Sequence, residues 1–396
     1  MHDPRTLALP EPDPDSLGHS KAVAAYVRER IAGAGGSISF AEYMHLCLYA
    51  PALGYYAAGA TKFGQAGDFV TAPEVSALFG RTLARQSAGI LAQLDSPAIL
   101  EIGAGSGKLA ADILEALAAA DTLPAGGYCI LEVSPDLQQR QRNLLAERVP
   151  DLIDSVRWLN AMPAGFTGVV IANELLDALP VERFVRRAGG IRQVGVASHA
   201  EAFRLVERDA PDKLVQAVEH IEATIGEPLP DGYASDVCLA VRPWVADLAD
   251  SLATGVAFLF DYGVGRREYY APDRSGGWLR CHFRHHAHDD PLILQGIQDL
   301  TSWVDFTAVA ESAVDNGLEI AGFTSQAQFL VGAGLEEALA DFARMPTAAQ
   351  LRLSAEIKLL TLPTEMGENF KCLGLMRGAF EPPAAFGRAD RTATLG

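Results

Sequence analysis

Short apolar runs alternate with amphipathic segments in the central part of the chain. The runs cover residues 98–102, 128–133, 156–159, 169–172 and 256–260, and each has the length of a β-strand. Strands this uniformly apolar are typical of a parallel sheet that is covered by helices on both faces. The segments between several of the runs are long enough for crossover helices. The pattern therefore predicts an α/β fold with a doubly wound, Rossmann-like sheet.

Helical patterns precede this central part. Val23, Val27 and Ile31 recur at helical spacing, and Ser39 with Glu42 forms a capping box for a second helix. A second capping box is predicted further on, where Thr71 and Glu74 bracket Pro73. We therefore expect an N-terminal helical segment ahead of the sheet.

Two stretches exceed what a minimal version of this fold requires. Apolar positions alternate after residue 183, which predicts extra strands, and the stretch 263–303 is rich in Gly, Arg and His. A helical stretch over 335–360 and a late strand over 369–376 follow. The expected division is a flexible lead-in (1–19), a helical and loop segment covering the site (20–96), a core (97–182 and 253–380) with an insertion (263–303), an inserted subdomain (183–252) and a C-terminal tail (381–396).

Composition and charge narrow the class of protein. Hydrophobic residues make up 49% and charged residues 21%, which is ordinary for a globular enzyme. The net charge of -18 opposes binding to a phosphate backbone, so we expect no nucleic-acid partner. No run reaches the ~18 apolar residues of a membrane span. Five cysteines without a CxxC pair, and no signal-peptide pattern, lead us to expect a cytoplasmic location.

A glycine-rich segment, LEIGAGSGKL over residues 100–109, joins a predicted strand to a predicted helix. A phosphate-binding P-loop needs a glycine where Ile102 stands and Ser or Thr where Leu109 stands, so that interpretation fails. A dinucleotide fingerprint needs its third glycine where Lys108 stands, which weakens that interpretation. The segment is therefore not a P-loop, and it matches a dinucleotide loop only in part.

What remains is an acid, Glu101, followed by glycines at alternate positions, Gly103, Gly105 and Gly107. This pattern resembles the loop of methyltransferases that use S-adenosyl-L-methionine (SAM). Glycines let the backbone approach a ligand closely, and a carboxylate can face the sulfonium and ammonium groups of SAM. A tight turn between strand and helix, without a ligand, is the alternative.

A second acid, Glu132, ends the next apolar run. A carboxylate at this edge of the sheet can accept hydrogen bonds from ribose hydroxyl groups. The alternative is an exposed acid at a strand end, since Ser134 and Pro135 follow it and could cap a helix. With both acids in register with the glycines, the sequence favours a SAM site.

Polar residues also follow the fourth and fifth predicted strands. Asn173, Glu174 and Asp177 come after the run 169–172, and Asp261 comes after the run 256–260. The carboxyl ends of such strands line the ligand crevice, so these side chains could face an amine, amide or guanidinium. As alternatives, Asp177 could stabilise a helix N-terminus and Asp261 could be a turn residue.

Seven segments together resemble one family. In chain order they are YMHLCLYAPALGYY, GDFVTAPEVSALFG, LEIGAGSGKLAADIL, NELLDALPVERF, FLFDYG, QDLTSWVDF and MGENFKCLGLMRG. They look like the MidA-like family over about residues 38–378. The resemblance implies a SAM-dependent methyltransferase core. Eukaryotic members of the family are mitochondrial complex I assembly factors that act as protein arginine methyltransferases. For those members the resemblance implies symmetric dimethylation of an arginine on a complex I subunit, and for this chain it implies a protein substrate.

The resemblance also implies roles for individual residues. The loop over residues 67–74 looks like the signature of the family and is expected to close over the cofactor, although Thr71 and Glu74 could only cap a helix. Asn173, Glu174 and Asp177 lie in the stretch that flanks the substrate. The residues expected to hold SAM are Glu101, Gly103, Ala104, Gly105, Gly107, Glu132, Asn173, Phe69 and Pro73.

An arginine acceptor sets the chemical requirement for catalysis. Its pKa exceeds ~12 and its lone pair is delocalised, so carboxylates must localise the charge and accept a proton. We expect Glu174 and Asp68 to do this first, with Asp177 and Asp261 next. A methyltransferase of a small molecule and a SAM-binding assembly chaperone without turnover are the competing functions.

The segment 281–290 combines Cys281 with four histidines and two aspartates. Metal sites usually draw ligands from more than one segment, and methyl transfer to a guanidinium needs no Lewis acid. We therefore expect no metal and a loop that packs on the active site. The surface pattern allows a homodimer without requiring one.

Overall fold

The computed structural model of the protein describes residues 9–57, 71–200 and 202–396. Its strands are β1 Ser37–Ser39, β2 Ala98–Ile102, β3 Tyr128–Leu131, β4 Val156–Leu159, β5 Phe166–Asn173, β6 Glu182–Arg187, β7 Gly190–His199, β8 Ala202–Asp209, β9 Ala234–Val237, β10 Leu252–Val264, β11 Leu279–Phe283, β12 His286–His288, β13 Asp299–Ser302, β14 Val304–Asp305, β15 Glu319–Ser325 and β16 Phe370–Arg377. Its α-helices are α1 Pro14–Gly33, α2 Phe40–Tyr49, α3 Ala72–Val75, α4 Ala77–Leu91, α5 Lys108–Ala119, α6 Pro135–Arg148, α7 Asp212–Ile225, α8 Val241–Ser251, α9 Arg266–Tyr269, α10 Phe306–Asp315, α11 Gln326–Gly332, α12 Leu335–Ala338, α13 Thr347–Thr361 and α14 Met366–Asn369.

A central sheet organises the molecule in the order β15-β16-β10-β5-β2-β3-β4, with β14 beside β10. The strands β2, β3, β4, β5 and β10 run parallel to their neighbours in this group. The late strand β16 runs antiparallel to both β10 and β15. The predicted doubly wound α/β fold is confirmed, with one antiparallel strand that the hydrophobic pattern alone did not indicate.

Helices cover both faces of this sheet. Leu83 of α4 and Ile113 of α5 belong to a buried cluster with Ile99 of β2, whereas Val245 of α8 and Val309 of α10 belong to a second cluster. All five residues of β2 are buried, as expected for a strand covered on both sides. The core therefore lies in two layers around the central sheet.

Two smaller sheets account for the additional sequence. One is antiparallel and contains β1, β7, β6 and β9, with β8 paired to β7. The other contains β12, β11 and β13, all antiparallel. Strand β1 precedes the central sheet in the chain yet pairs with β7, so the N-terminal segment is joined directly to the sheet formed by residues 182–237.

Two details of the N-terminal segment differ from the sequence-based expectation. Helix α1 begins at Pro14, ahead of the expected start near Ser20, because the Asp13 side chain accepts a hydrogen bond from the Ser16 N–H and caps the helix. Ser39 caps α2 as predicted, through the N–H of Glu42. The two caps therefore determine where helices α1 and α2 begin.

The second predicted capping box, at Thr71 and Glu74, is wrong. The Thr71 side chain makes no capping hydrogen bond, and α3 ends after one turn. Ser76 instead accepts a hydrogen bond from the Leu78 N–H and starts α4 at Ala77. Because Ser76 takes the capping role, the carboxylate of Glu74 is available for another contact.

The predicted helical stretch 335–360 is interrupted. It consists of α12, a 3-10 turn at Phe342–Arg344 and then α13. Pro346 immediately precedes α13 and cannot continue the preceding turn. In the described part of the chain, no helix combines the length and apolar character needed to cross a membrane.

Candidate functional site

A cavity of about 600 Å³ opens at the carboxyl ends of β2, β3 and β5. Residues that follow each of these strands line it, including Gly103, Glu132 and Glu174, together with Tyr49 and Tyr56 from the N-terminal segment. Ligands of open α/β sheets bind outside the carboxyl ends of the strands. The volume is within the ~300 to 1,000 Å³ that is typical of small-molecule sites.

The glycine loop has the backbone conformation that its composition predicts. Gly103, Gly105 and Gly107 have φ angles of 71°, 53° and 86°, in the left-handed region that favours glycine. Gly107 forms the N-cap of α5, and the loop from Gly103 to Ser106 lines the cavity. The alternate glycines are therefore required by the turn that brings the backbone to the cavity wall.

Lys108, which stands where a dinucleotide fingerprint has its third glycine, forms its contacts with protein groups. Its Nζ donates a hydrogen bond to the carbonyl oxygen of Pro73 and pairs with the Asp112 carboxylate at 2.9 Å. The neighbouring Ser106 hydroxyl donates to Glu74 Oε1. These contacts hold the glycine loop against the segment that contains Pro73 and Glu74, both of which line the cavity.

Glu101 lines the cavity but is only 3% exposed. Its Oε2 accepts a hydrogen bond of 2.7 Å from the Tyr128 hydroxyl. Burial raises the pKa of Glu101 to about 7, and this effect outweighs the opposing hydrogen bond from Tyr128. A cation entering the cavity would stabilise the charged carboxylate, so the site favours a positively charged group beside Glu101.

Glu132 lies at the end of β3, on the cavity wall. Its oxygens accept hydrogen bonds from the Ser134 N–H at 2.9 Å and from Gln141 Nε2 at 3.3 Å. Burial raises its pKa above the ordinary value. Gln141 Nε2 also donates to the Gly105 carbonyl oxygen, and Gln141 Oε1 accepts a hydrogen bond from Trp158.

Gln141 was not identified from the sequence. It belongs to α6 and is completely buried, although glutamine is usually exposed. Its amide joins the glycine loop to Glu132, so it positions two predicted cofactor contacts at once. A polar residue on the buried side of this helix, in line with Leu137 and Leu145, was the available signal.

Asn173 and Glu174 both line the cavity at the end of β5. Asn173 Nδ2 donates a hydrogen bond of 3.1 Å to Glu174 Oε1. The backbone of Glu174 has φ 51° and donates its N–H to the Phe260 carbonyl oxygen at 2.8 Å. A left-handed conformation at a non-glycine residue is costly and concentrates at functional sites. Burial, followed by the charge of Asp177, raises the pKa of Glu174 well above the ordinary value.

Asp177 and Asp261 lie behind this wall and are not among the residues that line the cavity. Asp261 is 1% exposed, and its oxygens accept hydrogen bonds from the N–H groups of Leu176, Asp177 and Tyr262. Burial and the mutual repulsion of Asp177 and Asp261 raise the pKa of Asp177 well above its usual range. The structure therefore places Asp261 as the residue that holds the turn containing Glu174.

The remaining predicted site residues divide into two groups. Ala104 and Pro73 line the cavity. Asp68 and Phe69 lie outside the described residues. Nothing in the described structure bears on the roles expected for them.

Tyr49, Tyr56 and Asp299 were not identified from the sequence. Tyr49 and Tyr56 line the cavity, and Asp299 accepts a hydrogen bond of 2.9 Å from the Tyr56 hydroxyl. Asp299 starts β13 and is 1% exposed. Because these residues come from distant segments without a shared motif, only the folded structure brings them together.

The cavity has a clear charge preference. Glu74, Glu101, Glu132 and Glu174 line it, whereas none of its described lining residues is Lys, Arg or His. In a site with restricted solvent, carboxylates attract cations more strongly than they do in water. The arrangement suits a ligand or substrate that carries positive charge.

The histidine-rich segment 281–290 contains the hairpin of β11 and β12, and none of these described residues lines the cavity. Strands β11 and β12 pair Cys281 with His288 and Phe283 with His286. A search of the described residues finds no group of three or more His, Cys, Asp or Glu side chains that could hold a metal ion. The segment contributes strands to the small sheet that contains Asp299.

The chain is similar to several known proteins. Residues 82–324 match a family described as "Putative S-adenosyl-L-methionine-dependent methyltransferase". A crystal structure of a candidate methyl transferase from Burkholderia thailandensis, bound to S-adenosylhomocysteine, has 41% sequence identity and a TM-score of 0.91. That match covers 98% of this chain and 100% of the other.

Curated relatives extend the comparison to animals. The mouse protein arginine methyltransferase NDUFAF7, mitochondrial, is 30% identical, over 86% of this chain and 81% of the relative. The zebrafish protein of the same name is 28% identical, over 91% of this chain and 88% of the relative. The cytoplasmic location expected from the sequence is contradicted by these relatives, because both are named as mitochondrial.

Proposed function

Because the chain belongs to the S-adenosyl-L-methionine-dependent methyltransferase family, we propose that it methylates an arginine side chain of a protein. The observation that carries this proposal is the cavity, which is lined by four glutamates and by no described cationic side chain. A guanidinium remains charged at any physiological pH, so it suits such a cavity. The names of the mouse and zebrafish relatives support the same acceptor.

Family membership confirms the SAM-dependent methyltransferase expected from the MidA-like resemblance, including its cofactor. The residues present fit that cofactor. The left-handed glycines bring backbone to the cavity wall, and Glu101 favours a positive charge beside it. Glu132 is held at the next strand end by Gln141, where it can accept hydrogen bonds from ribose hydroxyl groups.

The acceptor side is assigned to the end of β5. When bound, SAM supplies an electrophilic methyl group, whose bond to sulfur breaks as a bond to the acceptor nitrogen forms. The guanidinium loses one proton during this exchange, and we assign its acceptance to the Glu174 carboxylate. Asn173 donates a hydrogen bond to Glu174 Oε1. The positive charge of a bound guanidinium would favour the deprotonated Glu174, and the raised pKa of this group then increases its affinity for the proton that is released.

Asp261 contributes to the site by binding backbone N–H groups, and not by contacting the acceptor arginine. Its carboxylate holds the N–H groups of Leu176 and Asp177, so it fixes the turn that follows Glu174. Positioning of the reacting groups is the main way in which a protein accelerates methyl transfer. Asp261 is therefore a positioning residue in this proposal.

A complex I subunit is the first acceptor protein to test, because the MidA-like resemblance suggests it. The excess of acids over bases, which gives a net charge of -18, favours a basic region of that protein as the partner surface. A homodimer stays a prediction from the sequence.

The test uses purified full-length protein, SAM labelled with tritium in the methyl group, and an extract of cells that lack the gene. After acid hydrolysis of the labelled proteins, we expect radioactivity in methylarginine. A Gly105→Val variant should lose the labelling, because valine does not tolerate φ 53° in the glycine loop. Circular dichroism would show whether this variant is folded.

Other outcomes would separate the competing functions. Label in methyl-lysine, or only in molecules smaller than proteins, would contradict an arginine acceptor. Binding of SAM without transfer to any fraction of the extract would favour an assembly protein without turnover.

A further inference from the structure

Two tyrosine rings stack on the cavity wall that the N-terminal segment contributes. Their centroids are 5.5 Å apart, and the planes of Tyr49 and Tyr56 are inclined by 26°. Tyr49 is the last residue of α2, and Tyr56 follows it after a short turn. The stacked pair gives an otherwise acidic cavity an aromatic surface.

The hydroxyl groups of both tyrosines are engaged by the protein. The Tyr49 hydroxyl donates to the Ala178 carbonyl oxygen at 2.8 Å, and the Tyr56 hydroxyl donates to Asp299 Oδ1 at 2.9 Å. Burial raises the pKa of both phenols above the ordinary value, so both stay neutral. Since their polar ends are occupied, the two residues offer the cavity ring surface rather than a hydroxyl group.

The contacts of these hydroxyl groups place the pair on the acceptor side. Ala178 belongs to the turn after β5, which also contains Glu174, and both residues line the cavity. The predicted SAM contacts Glu101 and Glu132 instead lie at the carboxyl ends of β2 and β3. Tyr49 is therefore bonded to the same turn that supplies the proposed proton acceptor.

Asp299 fixes the orientation of the Tyr56 ring from behind. It is buried at the start of β13, and its strand pairs with β11 in the small three-stranded sheet. A phenol that donates to a carboxylate has a more electron-rich ring, and such a ring attracts cations more strongly. The inserted sheet thereby contributes to a wall that is otherwise formed by the N-terminal segment.

We propose that Tyr49 and Tyr56 form the subsite for the guanidinium of the acceptor arginine, and that Asp299 is a positioning residue acting through the Tyr56 hydroxyl. This inference rests on the proposed arginine methylation and adds the residues that select the acceptor. A guanidinium is planar and weakly hydrated, so it stacks on aromatic rings better than the compact ammonium group of lysine does. Glu174 lines the same cavity, and a guanidinium beside it would favour the charged carboxylate, which then supplies the opposite charge.

The first experiment measures binding to the full-length protein saturated with S-adenosylhomocysteine. The probes for calorimetric titration are Nα-acetyl-arginine methylamide, its citrulline analogue, which is a neutral isostere, and its lysine analogue. We expect the arginine probe to bind most tightly, because only it combines planarity with charge. Equal affinity for the three probes would overturn the subsite.

Variants of Tyr56 test the ring separately from the hydroxyl. We expect Tyr56→Leu, which removes the ring, to weaken binding of the arginine probe roughly tenfold while binding of S-adenosylhomocysteine is retained. Tyr56→Phe keeps the ring and should lose less affinity. Retained cofactor binding shows that each variant is folded. If Tyr56→Leu binds the arginine probe as the unchanged protein does, the proposal is wrong.

Variants of Asp299 test the positioning role. Asp299→Asn keeps an oxygen that can accept from the Tyr56 hydroxyl, so it should rescue the preference for arginine that Asp299→Ala loses. A loss that is equal in both variants would contradict a role through this hydrogen bond. Thermal unfolding of the two variants gives the accompanying measure of stability.

Failure of this inference can be distinguished from failure of the proposed function. If methylarginine forms in the extract but Tyr56→Leu leaves the arginine preference intact, only the subsite is wrong. If the arginine preference depends on Tyr56 but no methylarginine forms, the subsite stands and the proposed reaction fails.

Discussion

The side-chain amide of Gln141 donates a hydrogen bond to the carbonyl oxygen of Gly105 across 3.1 Å. The same nitrogen lies 3.3 Å from Glu132 Oε2. One side chain thus sets the distance between the glycine loop and the acid at the next strand end. We therefore expect the predicted cofactor site to depend on this buried amide, although Gln141 does not line the cavity itself.

We predict that Gln141→Ala weakens SAM binding roughly tenfold, because the glycine loop and Glu132 lose their shared donor. Calorimetric titration with SAM measures the effect. Gln139→Ala is the matched control, since Gln139 is an exposed residue of the same helix and bonds only to Asn143 among its described partners. Equal affinity in the two variants would show that Gln141 does not position the site.

The affinity for SAM should depend on pH through Glu101. In the free protein its pKa is about 7, and the positive charge of SAM lowers that pKa on binding. Below pH 7 binding must release a proton, so affinity rises as the pH increases towards 7 and then levels off. Calorimetric titrations with SAM between pH 5.5 and 8.5 test this, because they cover roughly 1.5 pH units on either side of the pKa of Glu101. Glu101→Gln should remove most of the dependence.

Turnover should depend on Glu174 far more than cofactor binding does. Glu174→Gln removes the proton acceptor but keeps the size of the side chain, so we expect kcat for arginine methylation to fall roughly 100-fold. Binding of SAM should change little. Glu219→Gln is the matched control, because Glu219 is exposed on α7. Full turnover by Glu174→Gln would eliminate the assigned role.

Replacement of the buried Asp261 and replacement of the buried Asp177 should have opposite effects on the stability of the protein. Asp261→Ala leaves the N–H groups of Leu176, Asp177 and Tyr262 without their acceptor, so we expect the free energy of unfolding to fall by roughly 2 kcal/mol. Urea denaturation measures it. A variant as stable as the unchanged protein would show that the turn does not need this carboxylate.

Asp177→Asn should instead maintain or increase stability at alkaline pH. The pKa of Asp177 is raised in the folded protein, so its stabilising contribution is present below the unfolded pKa and is lost as pH rises through the folded value. A neutral amide avoids that loss. Urea denaturation at pH 5 and at pH 8.5 measures this. The free energy of unfolding of the variant should exceed that of the unchanged protein by more at pH 8.5, because the unchanged protein then loses the contribution of about one bound proton.

Much of the sheet could be predicted from the sequence because its strands are covered on both faces. The run 98–102 has the bounds of β2. The rule that ligands bind at the carboxyl ends of parallel strands, called here the strand-end rule, correctly predicted which residues line the cavity: Glu101, Glu132, Asn173 and Glu174. The direction of β16 could not be predicted, since a buried strand has the same apolar pattern whether it runs parallel or antiparallel.

The strand-end rule was less informative about side-chain direction. Asp261 was expected to follow a strand but lies within β10, and its oxygens bind backbone N–H groups instead of facing the cavity. Thr71 was assigned a helix cap that Ser76 provides, because both residue types fit the same local pattern. Such choices depend on neighbours that only the fold supplies.

The hydrogen bond between Tyr56 and Asp299 joins residues that are 243 positions apart in the chain. During translation, Tyr56 leaves the ribosome long before its partner has been synthesised. The glycine loop and Glu132 are complete much earlier, within a continuous segment. If the tyrosine wall selects the acceptor as proposed, a nascent chain gains that selectivity only late in its synthesis, after the residues expected to hold the cofactor have already been made.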